Sequence, residues 1–198
     1  MFIQIIQGRC TRQDELHAVL DRWPRELGPG AEGWLGGTYG FTDDDKFIGV
    51  VRFESKEAAM ANSNRPEQTA WAEQMMALMD GEVTYHDCED VTLMMGGGSD
   101  DAGFVQVIRG KVDDPDRLRA MMTSDPTSLH EMRPEIIGAT LAIEPDGTFT
   151  ETVAFTDEAS ARKGEGLEPP ADVRAEMEYA MKDATFYDLH HPWFSSAD

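Results

Sequence analysis

Apolar and polar residues follow first a strand-like and then a helix-like period along this chain, and the whole succession occurs twice. Residues Phe2–Gly8 are apolar on both faces except at Gln4 and Gln7, a pattern that predicts a strand covered on both sides. The run returns as Phe104–Gly110, so the sequence aligns with itself without a gap at an offset of 102 positions. Further matches at this offset include Gly36 with Gly138, Phe47 with Phe149 and Tyr85 with Tyr187. A period of this length indicates two complete folding units.

The first half predicts a helix, a hairpin, two further helices and two strands after this opening strand. The first helix runs from about Thr11 to about Leu27, and Thr11 with Asp14 resembles a capping box. Ser55 is placed to cap the second helix, and Pro66 to open the third. The remaining strands are predicted at Trp34–Phe41, Lys46–Glu54, Glu82–Asp87 and Val91–Met95. The second half repeats this order, which is βαββ(α)αβ.

These elements predict an α+β fold built from two ferredoxin-like repeats. Residues 1–95 form the first half, residues 104–198 form the second, and the Gly-, Ser- and Asp-rich segment 96–103 is the linker. A sheet with helices on one face leaves its other face bare and apolar. We therefore expect the two sheets to pack face to face as a barrel wrapped by helices. The chain would then be a pseudo-dimer within itself, and a further homodimer is left open.

The charge distribution narrows the classes of partner. Lysine and arginine number 17 against 38 aspartates and glutamates, which gives a formal net charge of −21. No basic stripe remains to neutralise phosphates, so neither nucleic acid nor a membrane is expected as a partner. The N-terminus opens directly into a strand without the features of a signal peptide, and the only cysteines are Cys10 and Cys88. These features predict a reduced, cytoplasmic protein.

The junctions between the hairpin and the following helices carry a family resemblance. Residues Val51–Ala59 precede Asn64–Glu67 and Trp71, and Val153–Ala161 repeats the first of these segments more weakly. Together with the strand and helix order, this pattern resembles the dimeric α/β-barrel superfamily, most closely its antibiotic-biosynthesis-monooxygenase-like branch, as a tandem fused repeat. The resemblance implies a small-molecule pocket between each sheet and its helices. Members include cofactor-independent oxygenases, haem-degrading enzymes, lactone isomerases and stress-induced proteins, and fold alone does not choose among them.

The sequence predicts neither a cofactor nor a metal ion. The haem-degrading relatives take an axial histidine from the last long helix, and neither residues 66–79 nor residues 170–182 contain a histidine. His190 and His191 are adjacent, so strand geometry would point them to opposite faces, and the other histidines are isolated in sequence. We therefore expect chemistry that needs neither haem nor a metal ligand set.

Polar residues set among apolar ones are the candidates for a substrate site. Gln4 and Gln106 hold equivalent positions in the opening strands, where a buried amide bonds another core group or water, or contacts a ligand. Trp71 is a candidate pocket wall, with ordinary core packing as the alternative. Arg52 is a candidate for holding an anionic or carbonyl group in the first half, because Ala154 stands at the equivalent position.

His86 is the candidate general base, because an imidazole titrates near neutral pH; the alternative is a surface position, and the offset of 102 pairs it with Asp188. The leading hypothesis is a small-molecule-binding protein that acts as a cofactor-independent monooxygenase of an aromatic or quinol-like substrate. His86 would deprotonate the substrate while Gln4, Arg52 and Trp71 position it. The alternative is a non-catalytic metabolite-binding or stress-response barrel protein. The tail His190–Phe194 either closes a pocket or covers a sheet edge, and the second role is favoured because bulky aromatics after a last strand commonly dock on exposed sheet.

Overall fold

The computed structural model describes residues 1–123, 130–169 and 171–197. It confirms the α+β class and the ferredoxin-like order of both repeats. The first repeat contains β1 (Phe2–Arg9), α1 (Gln13–Glu26), β2 (Trp34–Phe41), β3 (Lys46–Phe53), α2 (Lys56–Ser63), α3 (Pro66–Met76), β4 (Val83–Cys88) and β5 (Asp90–Met94). The second repeat contains β6 (Phe104–Lys111), α4 (Pro115–Thr123), β7 (Ile136–Ile143), β8 (Thr148–Phe155), α5 (Glu158–Glu165), α6 (Ala171–Met181), β9 (Thr185–Leu189) and β10 (Trp193–Ser196).

Each repeat gives its last strand to the sheet of the other repeat. The first sheet has the strand order β10-β2-β3-β1-β4, and the second has the order β5-β7-β8-β6-β9. The compact units are therefore Met1–Glu89 with Trp193–Asp198, and Asp90–Pro192. These bounds differ from the predicted halves 1–95 and 104–198, because the predicted division follows the sequence repeat whereas the compact units follow strand pairing. Both β5 and β10 pair antiparallel with their partner strands, β7 and β2.

The helices of each unit cover one face of its sheet and bury alternate residues of the strands. In the first unit, Phe2 and Phe53 pack with Trp23 and Leu27 of the α1 region. The second unit has an equivalent core, in which the strand residues are Phe104, Ile108, Phe149 and Val153, and the helix residues are Leu118, Ala161 and Ala180. This face is called the helix-side face below.

Two of the three predicted helix starts in the first repeat, and the equivalent start in the second, are present. The hydroxyl of Ser55 accepts a hydrogen bond from the Ala58 amide, and the carboxylate of Asp157 accepts one from the Ser160 amide. Pro66 occupies the first turn of α3. The capping box at Thr11 is wrong: the residue before α1 is Arg12, with no side-chain cap. The amide and hydroxyl of Thr11 instead donate to Asp80 at 2.7 and 2.8 Å, because that carboxylate lies within reach across the fold.

The strand β9 is shifted by one residue relative to the sequence alignment. Gln4 pairs with Asp87, and Gln106 pairs with Asp188. The structural counterpart of Asp188 is therefore Asp87, and not His86 as the offset of 102 indicates. A strand register that slips by one residue exchanges the two faces, so this correction decides which side chains share a face with the glutamines.

The C-terminal tail closes one edge of the first sheet, which confirms its predicted role. The strand β10 pairs with β2, and Trp193 stacks on Tyr39 and contacts Phe41 at a tilt, with ring centroids 5.8 and 5.5 Å apart. The Trp193 ring also stacks on His17 of α1, with ring centroids 4.2 Å apart. Cys10 and Cys88 are both free and buried. Among the described residues, no helix is long and apolar enough to cross a bilayer.

Candidate functional site

Two residues of the predicted site, Gln4 and Trp71, lie on the helix-side face of the first sheet. Nε2 of Gln4 donates a hydrogen bond of 2.8 Å to Asp87, its neighbour on β4. Trp71 packs against the core of this face, and its Nε1 donates to the carbonyl of Val19 at 3.3 Å. Both side chains therefore take part in the internal bonding of the first unit, which is the structural alternative given for each of them above.

The other two first-half candidates lie on the opposite face of the same sheet. His86 pairs with Ile5, and Arg52 pairs with Ile3. Residues directly opposite one another share a face, and neighbours along a strand alternate between faces. His86 and Arg52 consequently point away from the face that carries Gln4. Of the three residues expected to position the substrate, only Arg52 therefore shares a face with the candidate base, and Gln4 and Trp71 lie on the other face.

The helix-side layer of the first unit is filled by aromatic rings. Trp23 contacts Trp34 and Trp71 with centroid separations of 4.8 and 6.4 Å. The rings of Tyr39, Phe47 and Trp193 also contact one another. The indole of Trp23 also donates to Gln68 at 2.7 Å. At these distances the rings pack against one another, so they fill the space between the first sheet and its helices.

The second unit places a carboxyl group in the layer that the first unit fills with rings. Glu151 of β8 lies opposite Ile108 and Leu141 on its neighbouring strands, and between Phe149 and Val153 along its own. These four neighbours all belong to the core cluster of the unit. Only 6% of Glu151 is exposed, and no described residue donates a hydrogen bond to its carboxyl oxygens.

Burial sets the protonation of this carboxyl group. An ionised carboxylate loses its hydration in an apolar layer, so desolvation raises the pKa of Glu151 to about 7, from its ordinary value of 4.5. A leucine or methionine would fill the same space without this cost. A solitary carboxyl that can both give and take a proton near neutral pH is the property required of a general acid or base.

Two paired positions explain why the second repeat has room for a carboxyl group here and the first does not. The counterparts of Glu151 and Leu141 are Gly49 and Tyr39, which pair across β2 and β3. A Cβ atom on Gly49 would lie 3.2 Å from ring atoms of both Tyr39 and Phe47. The tyrosine ring therefore occupies the space above the glycine in the first unit. Leucine in place of tyrosine leaves that space to the glutamate in the second.

Gln106 is the predicted site residue that shares a face with Glu151. It pairs with Val153, two residues along β8, and it is 7% exposed. Side chains in this diagonal relation across antiparallel strands have Cα atoms about 7–8 Å apart. Sequence reasoning selected Gln106 but missed Glu151. The available signal was a charged residue in the apolar phase of Thr148–Phe155, opposite a glycine in the first repeat.

The described residues offer no ligand set for a metal. No three histidine, cysteine, aspartate or glutamate side chains among them are grouped as a metal ion would need. Residue 170, which belongs to the range searched for a haem ligand, lies outside the described residues. Two open grooves of about 540 and 520 Å³ lie on the surface of the first unit, and neither is lined by Gln4, Arg52, Trp71 or His86.

Solved structures share the architecture of this chain. A candidate monooxygenase from Lactobacillus acidophilus NCFM superimposes with a TM-score of 0.72 at 13% identity, over 100% of this chain and 99% of its own. A second, from Fusobacterium nucleatum subsp. nucleatum ATCC 25586, gives a TM-score of 0.76 at 10% identity, over 98% of this chain and 94% of its own. The chain has the dimeric α/β-barrel fold as a tandem repeat.

A third solved structure with this dimeric α/β-barrel architecture is an anthrone oxidase-like protein. It superimposes with a TM-score of 0.62 at 8% identity, over 99% of this chain and 93% of its own. No family model and no curated protein matches the chain by sequence. At sequence identities this low, the structural similarity shows the fold alone. The chemistry has to be argued from the residues of this chain.

Proposed function

We propose that this protein is a cofactor-independent monooxygenase of an aromatic substrate, with Glu151 of the second repeat as its general base. The observation that carries the proposal is the solitary carboxyl group on the helix-side face of the second sheet. It is buried among Ile108, Leu141, Phe149 and Val153, which are the kind of apolar surface that an aromatic ring would contact. The proposal replaces His86 with Glu151 as the base and moves the site from the first repeat to the second.

The reaction needs a substrate with an acidic C–H bond, such as a methylene group flanked by two aromatic rings and activated by a carbonyl group. The ionised Glu151 takes a proton from this carbon, and the apolar layer excludes water from the resulting carbanion. The carbanion gives an electron to O₂, and the two radicals combine to a hydroperoxide anion. The protonated Glu151 returns its proton to this anion, which gives the hydroperoxide. The hydroperoxide then loses water and leaves a carbonyl group.

The balance of this reaction explains why no cofactor is required. One oxygen atom enters the new carbonyl group and the other leaves as water, so O₂ accepts four electrons. Oxidation of a CH₂ group to C=O supplies those four electrons, and no external reductant takes part. Glu151 regains its ionised form when it returns its proton to the hydroperoxide anion, and the second proton of the methylene group leaves with the hydroxyl group as water. The protein supplies only the base, the apolar surroundings and the orientation.

Two further findings support this proposal over a non-catalytic role. A metabolite-binding protein needs shape and hydrogen bonds, but it does not need a carboxyl group whose pKa is raised to about 7 by burial. The fold is also shared with candidate monooxygenases and with an anthrone oxidase-like protein. Anthrone contains the methylene group that the reaction requires, and it is therefore the probe substrate of choice.

The test is oxygen uptake by the full chain with anthrone, corrected for the reaction without protein. We expect one O₂ consumed per anthraquinone formed, and a kcat that rises with pH to a plateau with an apparent pKa of about 7. The Glu151→Gln variant should lose about 10²-fold or more in kcat. His86→Ala is the matched control and should keep the wild-type rate. Equal rates for Glu151→Gln and wild type would overturn the proposal, and binding of anthrone without oxygen uptake would favour the metabolite-binding alternative.

A further inference from the structure

The strand β10 is joined to β9 by a connection of three residues, His190, His191 and Pro192. Nδ1 of His190 lies 2.8 Å from Oε2 of Glu158, the first residue of α5. A carboxylate accepts hydrogen bonds and does not donate them, so this ring nitrogen must carry the hydrogen. The bond fixes the start of the connection to the helix, and the imidazole is only 27% exposed.

The charged groups near His190 favour its protonated form. They include three carboxylates and one guanidinium, those of Glu158, Glu165 and Arg162 on α5 and that of Asp188 on β9. The strand β6 contributes an uncharged ring, Phe104, whose centroid lies 5.9 Å from that of the imidazole. The carboxylates outnumber the guanidinium, so a proton on the imidazole offsets part of the excess negative charge.

The carboxyl group of Glu158 is ionised throughout the range in which an imidazole titrates. The hydrogen bond from His190 is the largest of the contributions that hold the pKa of Glu158 below its ordinary value of 4.5, and Arg162 also lowers it. An imidazole ordinarily gains its proton near pH 6.5. The contact is therefore an ion pair below neutral pH, and it becomes a weaker hydrogen bond from a neutral ring as the pH rises.

The first repeat holds the equivalent connection with a pair of opposite polarity. The strand register makes Glu89 the counterpart of His190, and the helix starts make Lys56 the counterpart of Glu158. Nζ of Lys56 donates to Glu89 at 3.0 Å. This bond raises the pKa of Lys56 above its ordinary value of 10.5, so the lysine keeps its charge where an imidazole loses its own.

We propose that His190 and Glu158 form a pH-dependent latch, which holds the strand β10 on the first sheet more firmly below neutral pH than above it. The latch acts through the short connection, in which the ring of Pro192 restricts the backbone. When the ion pair is lost, His190 leaves α5 more often and β10 opens more often with it. The pair of Lys56 and Glu89 gives the connection to β5 no such dependence. The latch is independent of the proposed function.

The experiment measures hydrogen exchange of the amides of residues 193–196 by mass spectrometry, at about pH 5.5 and about pH 8. The full chain of the wild type is compared with His190→Gln, which is never charged, and with His190→Lys, which is always charged. Ratios of exchange rates at one pH remove the intrinsic effect of pH, because all three proteins share the amides that are read. A partly exposed ion pair corresponds to about threefold in the opening equilibrium.

We expect the wild type to exchange about threefold more slowly than His190→Gln at the lower pH and at nearly the same rate at the higher pH. His190→Lys should exchange about threefold more slowly than His190→Gln at both. His191→Gln is the matched control, because His191 is the adjacent histidine and is exposed, and it should behave as the wild type does. Glu158→Gln keeps the histidine but removes its partner, and it should match His190→Gln at both pH values.

Three results would overturn the latch. The first is a ratio of wild type to His190→Gln that does not change with pH. The second is a His191→Gln variant that loses the change, since the titrating group would then be the neighbouring histidine. The third is a His190→Lys variant that exchanges as fast as His190→Gln, because charge at this position would then not hold β10. Should His190→Lys not fold, Glu158→Gln decides in its place: a wild-type pH dependence in that variant overturns the latch.

Discussion

Replacing Glu151 by glutamine should make the protein more stable at alkaline pH. Burial raises the pKa of this carboxyl group from 4.5 to about 7, so the folded chain holds the proton more tightly than the unfolded chain does. The stabilisation from the bound proton is complete below about pH 4.5 and is lost as the pH rises through 7. Each pKa unit corresponds to 1.36 kcal/mol, so the loss amounts to about 3 kcal/mol. Glutamine has the same shape and never ionises, and it avoids this loss.

The free energy of unfolding is obtained from urea denaturation followed by circular dichroism. All four tryptophans, at positions 23, 34, 71 and 193, belong to the first unit, so their fluorescence follows that unit and not the region of Glu151. The sequence pI of about 4.4 makes acid solutions unsuitable, and the working range starts near pH 5.5. Between about pH 5.5 and pH 8.5 the difference between Glu151→Gln and wild type should grow by about 2 kcal/mol.

Glu178→Gln is the control for this experiment, because Glu178 is an exposed glutamate of the same unit. Its difference from wild type should stay constant across the same range. Comparing differences removes the pH dependence of every other group, which both proteins share. If the difference for Glu151→Gln also stays constant, or falls with pH, the carboxyl group is not desolvated in the folded chain and the basis for its catalytic role is gone.

Two predictions concern the frame of the fold. Asp157→Ala should lower the free energy of unfolding in urea by about 1 kcal/mol, because the first turn of α5 loses its cap. Asp157→Ser should retain most of the wild-type stability, since serine can also cap a helix. Equal stability of the two variants would contradict the capping role. Trp193→Ala should cost about 3 kcal/mol and expose the edge of β2 to association, measured by light scattering, while Ser195→Ala on the same strand should do neither. A monomeric Trp193→Ala protein of wild-type stability would show that β10 does not need its aromatic anchor.

The elements of the fold could be predicted because local patterns determine them. The strand Trp34–Phe41 has the bounds that the sequence predicts, since its run ends at turn residues. Thr11 shows the limit of such reasoning. Its sequence fits a helix cap, but Asp80 competes for its hydrogen bonds from 69 residues away. Competition of that kind depends on the tertiary fold and leaves no local signal.

The exchange of β5 and β10 was beyond sequence reasoning for a related reason. Both strands follow the element order of their own repeat, and a repeat offers no local sign of which sheet will accept its last strand. The pairing depends on where the tertiary fold places the chain that follows β4 and β9. The same holds for the one-residue shift at Asp188, because an alignment without gaps conceals a deletion when the neighbouring residues are similar.

The site was harder to predict than the fold because its residues were judged one at a time. His86 and Arg52 carry suitable chemistry, but the pleat of the strand assigns them to the face opposite Gln4. Glu151 carries less distinctive chemistry, and only its phase within Thr148–Phe155 marks it as buried. The register of the strands decides which face a side chain lies on, and this information cannot be read from one residue at a time.

The two repeats fill their helix-side layers differently, and under the proposed function this difference separates stability from chemistry. The first repeat fills its helix-side layer with tryptophan and tyrosine rings, and Gly49 makes room for Tyr39. The second repeat has smaller side chains at three of these positions, with Leu141 for Tyr39, Ile136 for Trp34 and Val173 for Trp71. An unpaired buried carboxyl group destabilises the unit that contains it, and a chain with two such layers needs only one of them for a reaction. A destabilising group is most readily retained where the partner repeat contributes a well-packed aromatic core.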